Sequence, residues 1–151
     1  MSSKAEKILD QLIEKTGGRY TEQKKVIITE LSKLRHHFDI DDFIEIVRKK
    51  DKKASRATVY RFIKQLLEEG LLQKITTKAG KVYYEQNFSS KHHDHIICNH
   101  CGKIFELKEN KIDHYLEEYC KKLNFIPDYR SLHIYGACPD PSNCQYASQE
   151  N

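Results

Sequence analysis

No apolar stretch of this 151-residue chain is long enough to span a bilayer. Nor is Met1 followed by the charged-then-apolar pattern of a secretory leader. The expectation is a cytoplasmic protein with no membrane partner. The chain has no internal repeat and no low-complexity segment. The His-Glu-x-x-His of zinc hydrolases is missing, as is the His-x-Glu with Pro-Cys-x-x-Cys of nucleobase deaminases. A Cys-x-x-Cys is present at 98–101, but without the βαβ setting of an oxidoreductase. An enzyme is therefore not expected, nor a small-molecule substrate.

What is present is polar: 38% hydrophobic residues against 32% charged. There are five cysteines. In a cytoplasmic setting they favour metal or redox chemistry over structural disulfides. The formal net charge of +4 is unevenly spread. Residues 1–85 carry 19 Lys+Arg against 13 Asp+Glu, and residues 86–151 carry 7 against 9. A basic first half points to nucleic acid at that end, although a solvated lysine surface explains charge almost as well.

Hydrophobic periodicity predicts four helices in the basic half. The first opens with a capping-box pattern at Ser3 and Glu6, buries Ala5, Ile8, Leu9, Leu12 and Ile13, and ends at Gly17-Gly18. Thr21 caps a second, with Ile27, Ile28, Leu31 and Leu34 inward. Asp39 caps a third, with Ile40, Phe43, Ile44 and Val47 inward. Ser55 caps a fourth, Arg56 to Glu69, whose stripe is Val59, Ile63, Leu66 and Leu67. Gly70 closes it. Strand-like runs at 71–77 and 81–85 flank Ala79-Gly80 as a hairpin. Three helices and a hairpin after one extra helix is a winged helix-turn-helix plan.

The acidic half begins after a polar linker, 87–90. Short strands are expected at 95–98 and 103–107. Asn110 caps a helix carrying Ile112, Leu116, Tyr119 and Leu123 on one face. A further strand is expected at 129–136, followed by a turn-rich tail to Cys144. The fold class is α+β, an N-terminal winged helix-turn-helix domain followed by a small α/β domain. The expected limits are 1–86, a hinge at 87–92, and 93–151.

A recognition helix must bury one face and offer the other to the major groove. The fourth helix can do so with Arg56, Thr58, Tyr60 and Arg61. Any single amphipathic helix is more often just solvated. The hairpin that follows this one shifts the balance toward DNA.

The densest chemistry lies in Lys91–Cys101, where four histidines, two cysteines and an aspartate occupy eleven residues. Imidazole and thiolate are the usual ligands of zinc and its first-row neighbours. Cys98-x-x-Cys101 is half of a tetrahedral site, and Cys138 with Cys144 is its expected second pair. Four thiolates around one ion leave no open position, so this site is structural. An alternative set with His114 and Cys120 is set aside. The two are six residues apart on one helix and cannot converge, so Cys120 reads as a buried thiol and His114 as a surface residue. His93 and His95 fall on one side of an extended stretch and can share a second ion. Glu85, Glu106 and His37 can complete an imidazole and carboxylate set suited to Fe(II), Mn(II), Co(II) or Zn(II). Such a site would join metal binding to DNA binding. His36, His100, His114 and His133 read as solvated side chains.

Ala57-Thr58-Val59-Tyr60-Arg61, then His92-His93-Asp94-His95-Ile96-Ile97-Cys98-Asn99-His100-Cys101-Gly102-Lys103, then Leu132 to Cys138, together resemble the ferric uptake regulator family. The resemblance runs from about Gly18 to Cys144. It implies a homodimeric, metal-dependent regulator, in most members a repressor, that binds double-stranded operator DNA. It implies a C-terminal dimerisation domain. It places a regulatory site on His37, Glu85, His93, His95 and Glu106, and a structural Zn(II) site on Cys98, Cys101, Cys138 and Cys144. Tyr60 and Arg61 match positions that meet DNA in the family, and a basic residue near the start, Lys15 or Arg19, is expected to contribute. Some members use the equivalents of His92, Asp94 and Asp113 for a further metal, with a histidine where Arg130 stands here.

The regulatory ion is expected to be Fe(II), with Mn(II) as a substitute. Glu106 favours iron sensing over the peroxide-sensing branch, which carries an aspartate there. That branch is the alternative, and a zinc-stapled DNA-binding module without sensing is the second.

Overall fold

Local chemistry places the helix starts. The computed structural model describes residues 4–88, 94–108, 110–127 and 130–144. In it the Thr21 hydroxyl accepts from the Lys24 amide at 3.2 Å, opening α2 (Glu22–Lys33). The Asp39 carboxylate accepts from the Asp41 amide at 2.8 Å and opens α3 (Ile40–Lys50). Ser55 does the same from Thr58 at 3.1 Å for α4 (Arg56–Glu68). Each cap satisfies an amide that the helix itself leaves without a partner. α1 (Lys4–Thr16) stops at Gly17, whose φ is +65°. Gly70, at φ +68°, closes α4 in the same left-handed manner. The Ser3 cap expected for α1 lies outside the described residues.

The chain divides into two compact units, Met1–Ile75 with Val82–Ser90, and Thr76–Lys81 with Lys91–Asn151. The core of the first is built from the apolar faces of α1 to α4. Leu9, Ile27, Ile28, Leu31, Phe43, Ile44, Val47, Val59 and Leu66 are fully buried in it. Leu67, expected inward, is only partly buried, and Phe62, absent from the expected stripe, is buried instead. After α4 come β1 (Leu72–Thr76) and β2 (Val82–Gln86), paired as a two-stranded ribbon. Phe38, in the loop before α3, bridges Tyr84 of β2 through paired backbone hydrogen bonds of 2.8 and 2.9 Å. Four helices and this ribbon form a winged helix-turn-helix.

The second unit holds β3 (Asp94–Cys98), β4 (Ile104–Leu107), α5 (Asn110–Lys122) and β5 (His133–Gly136). Its sheet runs β4-β3-β5, with β3 antiparallel to β4 and parallel to β5. A 3-10 turn, Pro141–Asn143, follows. The last strand is shorter than expected, and Tyr129 at its expected start lies outside the described residues. α5 departs from expectation more strongly. Tyr115, Tyr119 and Leu123 are 65%, 53% and 63% exposed, and Cys120 is half-buried rather than buried. Within one chain the helix has too little sheet to cover its apolar stripe.

Candidate functional site

The hairpin between β3 and β4 delivers the first two sulfurs. Cys98 ends β3, and Gly102, at φ +73°, turns the chain so that its amide reaches the Cys98 carbonyl at 2.9 Å. The 3-10 turn after Pro139 returns Cys144 to them. The sulfurs of Cys98, Cys101 and Cys144 all lie within 4.8 Å of one another. Cys138 falls outside that tightest trio; its sulfur donates to the Asp140 carbonyl at 3.5 Å and lies beside the Cys144 sulfur. The cysteines are free thiols. Backbone hydrogen bonds, that of Cys101 first, hold the Cys98 thiol down at about 7. The Cys144 thiol, burial and neighbouring sulfur charge push Cys138 up to about 11. Crowded thiols of this kind resist ionising together unless a cation joins them. Three converging sulfurs, with Cys138 beside Cys144, are a donor set that could hold a zinc ion.

His95 occupies the centre of the sheet and is 1% exposed. Its Cα partner on β4 is Glu106, and its Cα partner on β5 is His133. Directly paired residues project to the same face, so the three side chains form one row across the sheet. The His95 and His133 rings meet edge to face with centroids 5.6 Å apart. Glu106 also pairs with Lys108 at 2.9 Å. His133 is therefore not the freely solvated residue expected. The missing signal was the parallel β3–β5 register, a long-range pairing that the local sequence does not encode. His93 lies outside the described residues.

His37 and Glu85 belong to the first unit. The His37 ring packs edge-on against Tyr83, with centroids 5.0 Å apart. Glu85 is 4% exposed and accepts a hydrogen bond from the Gln73 amide at 3.1 Å. Both residues thus sit on or beside β2. A buried carboxylate needs such partners to remain charged.

Arg130 meets a different fate from a metal ligand. Its Nε donates to Asp94 Oδ1 at 3.2 Å and its guanidinium nitrogen to Asp94 Oδ2 at 2.7 Å. The same nitrogen also pairs with Asp113 on α5. A guanidinium has no lone pair to offer an ion. Asp94, Asp113 and Arg130 do not fit a metal site.

On α4, Arg56, Tyr60 and Arg61 are exposed opposite the buried stripe. Arg56 pairs with Asp41 and lies over the Tyr60 ring, 5.6 Å from its centroid. Thr58 is half-buried, and its hydroxyl bonds the Ser55 hydroxyl at 2.9 Å within the cap. Lys15 pairs with Glu69 at 2.8 Å, and Arg19 is exposed. The outer face of the helix thus exposes Arg61 and Tyr60, the latter beneath Arg56, while Arg56 and Thr58 have partners within the chain.

Comparison with known proteins agrees with this arrangement. The model of the Ferric uptake regulator family matches residues 15–135. The ferric uptake regulation protein of Haemophilus ducreyi is 31% identical over 137 residues, covering 89% of this chain and 91% of its own. The solved Helicobacter pylori ferric uptake regulator, described as having three functional metal binding sites, is 28% identical with a TM-score of 0.66. It covers 93% of this chain and 95% of its own. The Campylobacter jejuni peroxide stress regulator is 26% identical with a TM-score of 0.62, covering 92% and 96%. With winged helix, thiol cluster and imidazole–carboxylate row in place, the chain belongs to the ferric uptake regulator family of metal-responsive, DNA-binding transcription regulators.

Proposed function

We propose that this regulator is a homodimeric, cytoplasmic repressor whose affinity for operator DNA rises when Fe(II) is available. The observation that carries the reading is the row formed by His95 with Glu106 and His133. A buried imidazole beside a carboxylate is a donor set for a hard or borderline divalent ion. We assign the regulatory ion to His93, His95 and Glu106 together with His37 and Glu85, and structural Zn(II) to Cys98, Cys101, Cys138 and Cys144. Mn(II) has the same ligand preferences and serves as an experimental substitute. Coordination at these positions supplies bonds that only one arrangement of the donors satisfies, so ion and DNA favour the same conformer.

DNA contact falls to the outer face of α4. Tyr60 packs on the sugar-phosphate backbone, and Arg61 reaches phosphate or a guanine edge. Arg56 and Thr58 are second contacts, because each already has a partner within the chain. Lys15 or Arg19 adds a phosphate contact. For the dimer, α5, the segment that follows it and β5 supply the apolar surface. Tyr115, Tyr119, Leu123, Phe125, Ile126 and Tyr135 are between 46% and 89% exposed there. A second copy of the same face would cover them.

The deciding experiment is an anaerobic band shift with zinc-loaded protein on a duplex selected for binding in Mn(II). Much tighter binding with added Fe(II) or Mn(II) is expected. Equal binding with and without the second metal would reduce the protein to a zinc-stapled DNA binder. Peroxide sensing is the second reading, favoured by the likeness to the Campylobacter jejuni regulator. Glu106, in place of the aspartate of that branch, argues for iron. Oxidation of His37 or His95 with release of DNA after brief peroxide and Fe(II) would reverse the choice.

A further inference from the structure

Two carboxylates from different elements converge on one point in the second unit. Asp94 begins β3, and its side chain is only 4% exposed; Asp113 lies in the first turn of α5. A buried carboxylate is stable as an anion only beside a positive charge. Asp94, buried, and Asp113, 47% exposed, face one point and form a fork that would take either a divalent ion or a cationic side chain. In this chain Arg130, just ahead of β5, fills the fork. It engages Asp94 through two nitrogens at 3.2 and 2.7 Å and bridges to Asp113. The planar guanidinium matches both oxygens of one carboxylate and still has a donor for the second.

We propose that Arg130 is a resident cation that occupies the Asp94–Asp113 fork in place of a divalent metal ion, so that this part of the fold is held together without metal. The consequence is mechanical. β3, the approach to β5 and the first turn of α5 are tied by a charge that no chelator removes. Those strands carry His95 and His133, so their row is held in register whether or not iron is present. Metal binding is thereby confined to the imidazole and carboxylate donors and the thiol cluster, and the fork adds no third site. The inference extends the metal-responsive reading, and its failure leaves that reading standing.

The experiment counts Mn(II) bound per protomer of the zinc-loaded full chain, by native mass spectrometry and by the electron paramagnetic resonance of free Mn(II). Arg130→His removes the guanidinium and supplies an imidazole between the two carboxylates. It is expected to bind one more Mn(II) per protomer than the unaltered chain. Adding Asp113→Asn to that variant should remove the extra ion. An Arg130→His protein with a native circular dichroism spectrum and an unchanged Mn(II) count overturns the proposal. Asp113→Asn in the otherwise unaltered chain keeps the Asp94–Arg130 pair and provides a second measurement should Arg130→His not fold. Its Mn(II) count should equal that of the unaltered chain, and loss of one ion from it also overturns the proposal.

Discussion

His95 on β3 stands directly across from Glu106 on β4, in the antiparallel register that also sets Ile97 against Ile104. The pairing puts an imidazole and a carboxylate on one face of a rigid sheet, where neither has far to move to share an ion. His95→Ala is expected to abolish the gain in operator affinity that Mn(II) or Fe(II) gives, while zinc content stays unchanged. Band shifts across a Mn(II) titration measure it. His114→Ala, whose imidazole is 75% exposed beside Glu118, serves as the control that should change nothing.

The His133 ring meets the His95 ring edge to face, where it can help to orient it. Residues that hold a ligand in place usually alter metal affinity by about 10–100-fold when removed. His133→Ala should therefore weaken Mn(II) binding within that range without eliminating it. Isothermal titration of the zinc-loaded protein reads the change. An unaltered Mn(II) affinity would assign His133 to packing alone.

The proposed zinc site predicts different outcomes for cysteines inside and outside the thiol cluster. Cys98→Ser and Cys144→Ser should each lose the zinc, whereas Cys120→Ser, on α5, should retain it. A colorimetric zinc-release assay distinguishes the three. pH acts in a definite direction. The Cys98 thiol sits at about 7, below its ordinary value, so its thiolate is present above pH 7 and is lost as pH falls through 7. Zinc retention against a competing chelator should thus weaken between pH 8 and pH 6.

Arg61 and Leu66 lie on opposite faces of α4 and should fail in opposite ways. Arg61→Ala removes a phosphate or base contact. It should weaken operator binding and, if the contact is to phosphate, lower the slope of log affinity against log salt by about 1. Leu66 is fully buried, and Leu66→Ala should destabilise the first unit by about 2–5 kcal/mol through lost packing and the cavity left behind. Thermal melts beside salt-dependent band shifts separate the two effects.

Just after α5, Leu123→Asp places a charge in the exposed apolar face. If that face joins two copies, sedimentation should show a shift from dimer to monomer with the helix content retained. A dimer that survives the substitution would locate the contact elsewhere.

Short-range signals were legible because their physics is local. Thr21, Asp39 and Ser55 cap helices through amides two or three residues on, and most of the periodic Ile, Leu, Val and Phe positions of α1 to α4 face inward as spacing requires. Cys98-x-x-Cys101 sits in a tight hairpin that its own turn residues make. The reading failed where partners lie far along the chain. Cys120 was expected inside because its stripe is apolar, but one sheet does not cover that stripe. His133 was expected in solvent because nothing beside it in sequence shows that β5 runs parallel to β3.

The sequence by itself determined the helices, the ribbon and which residue types are available as ligands, since caps, turns and periodicity act within a few residues. Only the tertiary structure decided that His133 joins His95 and that Arg130 closes on both Asp94 and Asp113. Strand register and the meeting of charges from separate elements depend on how distant segments pack, and no local rule carries that information.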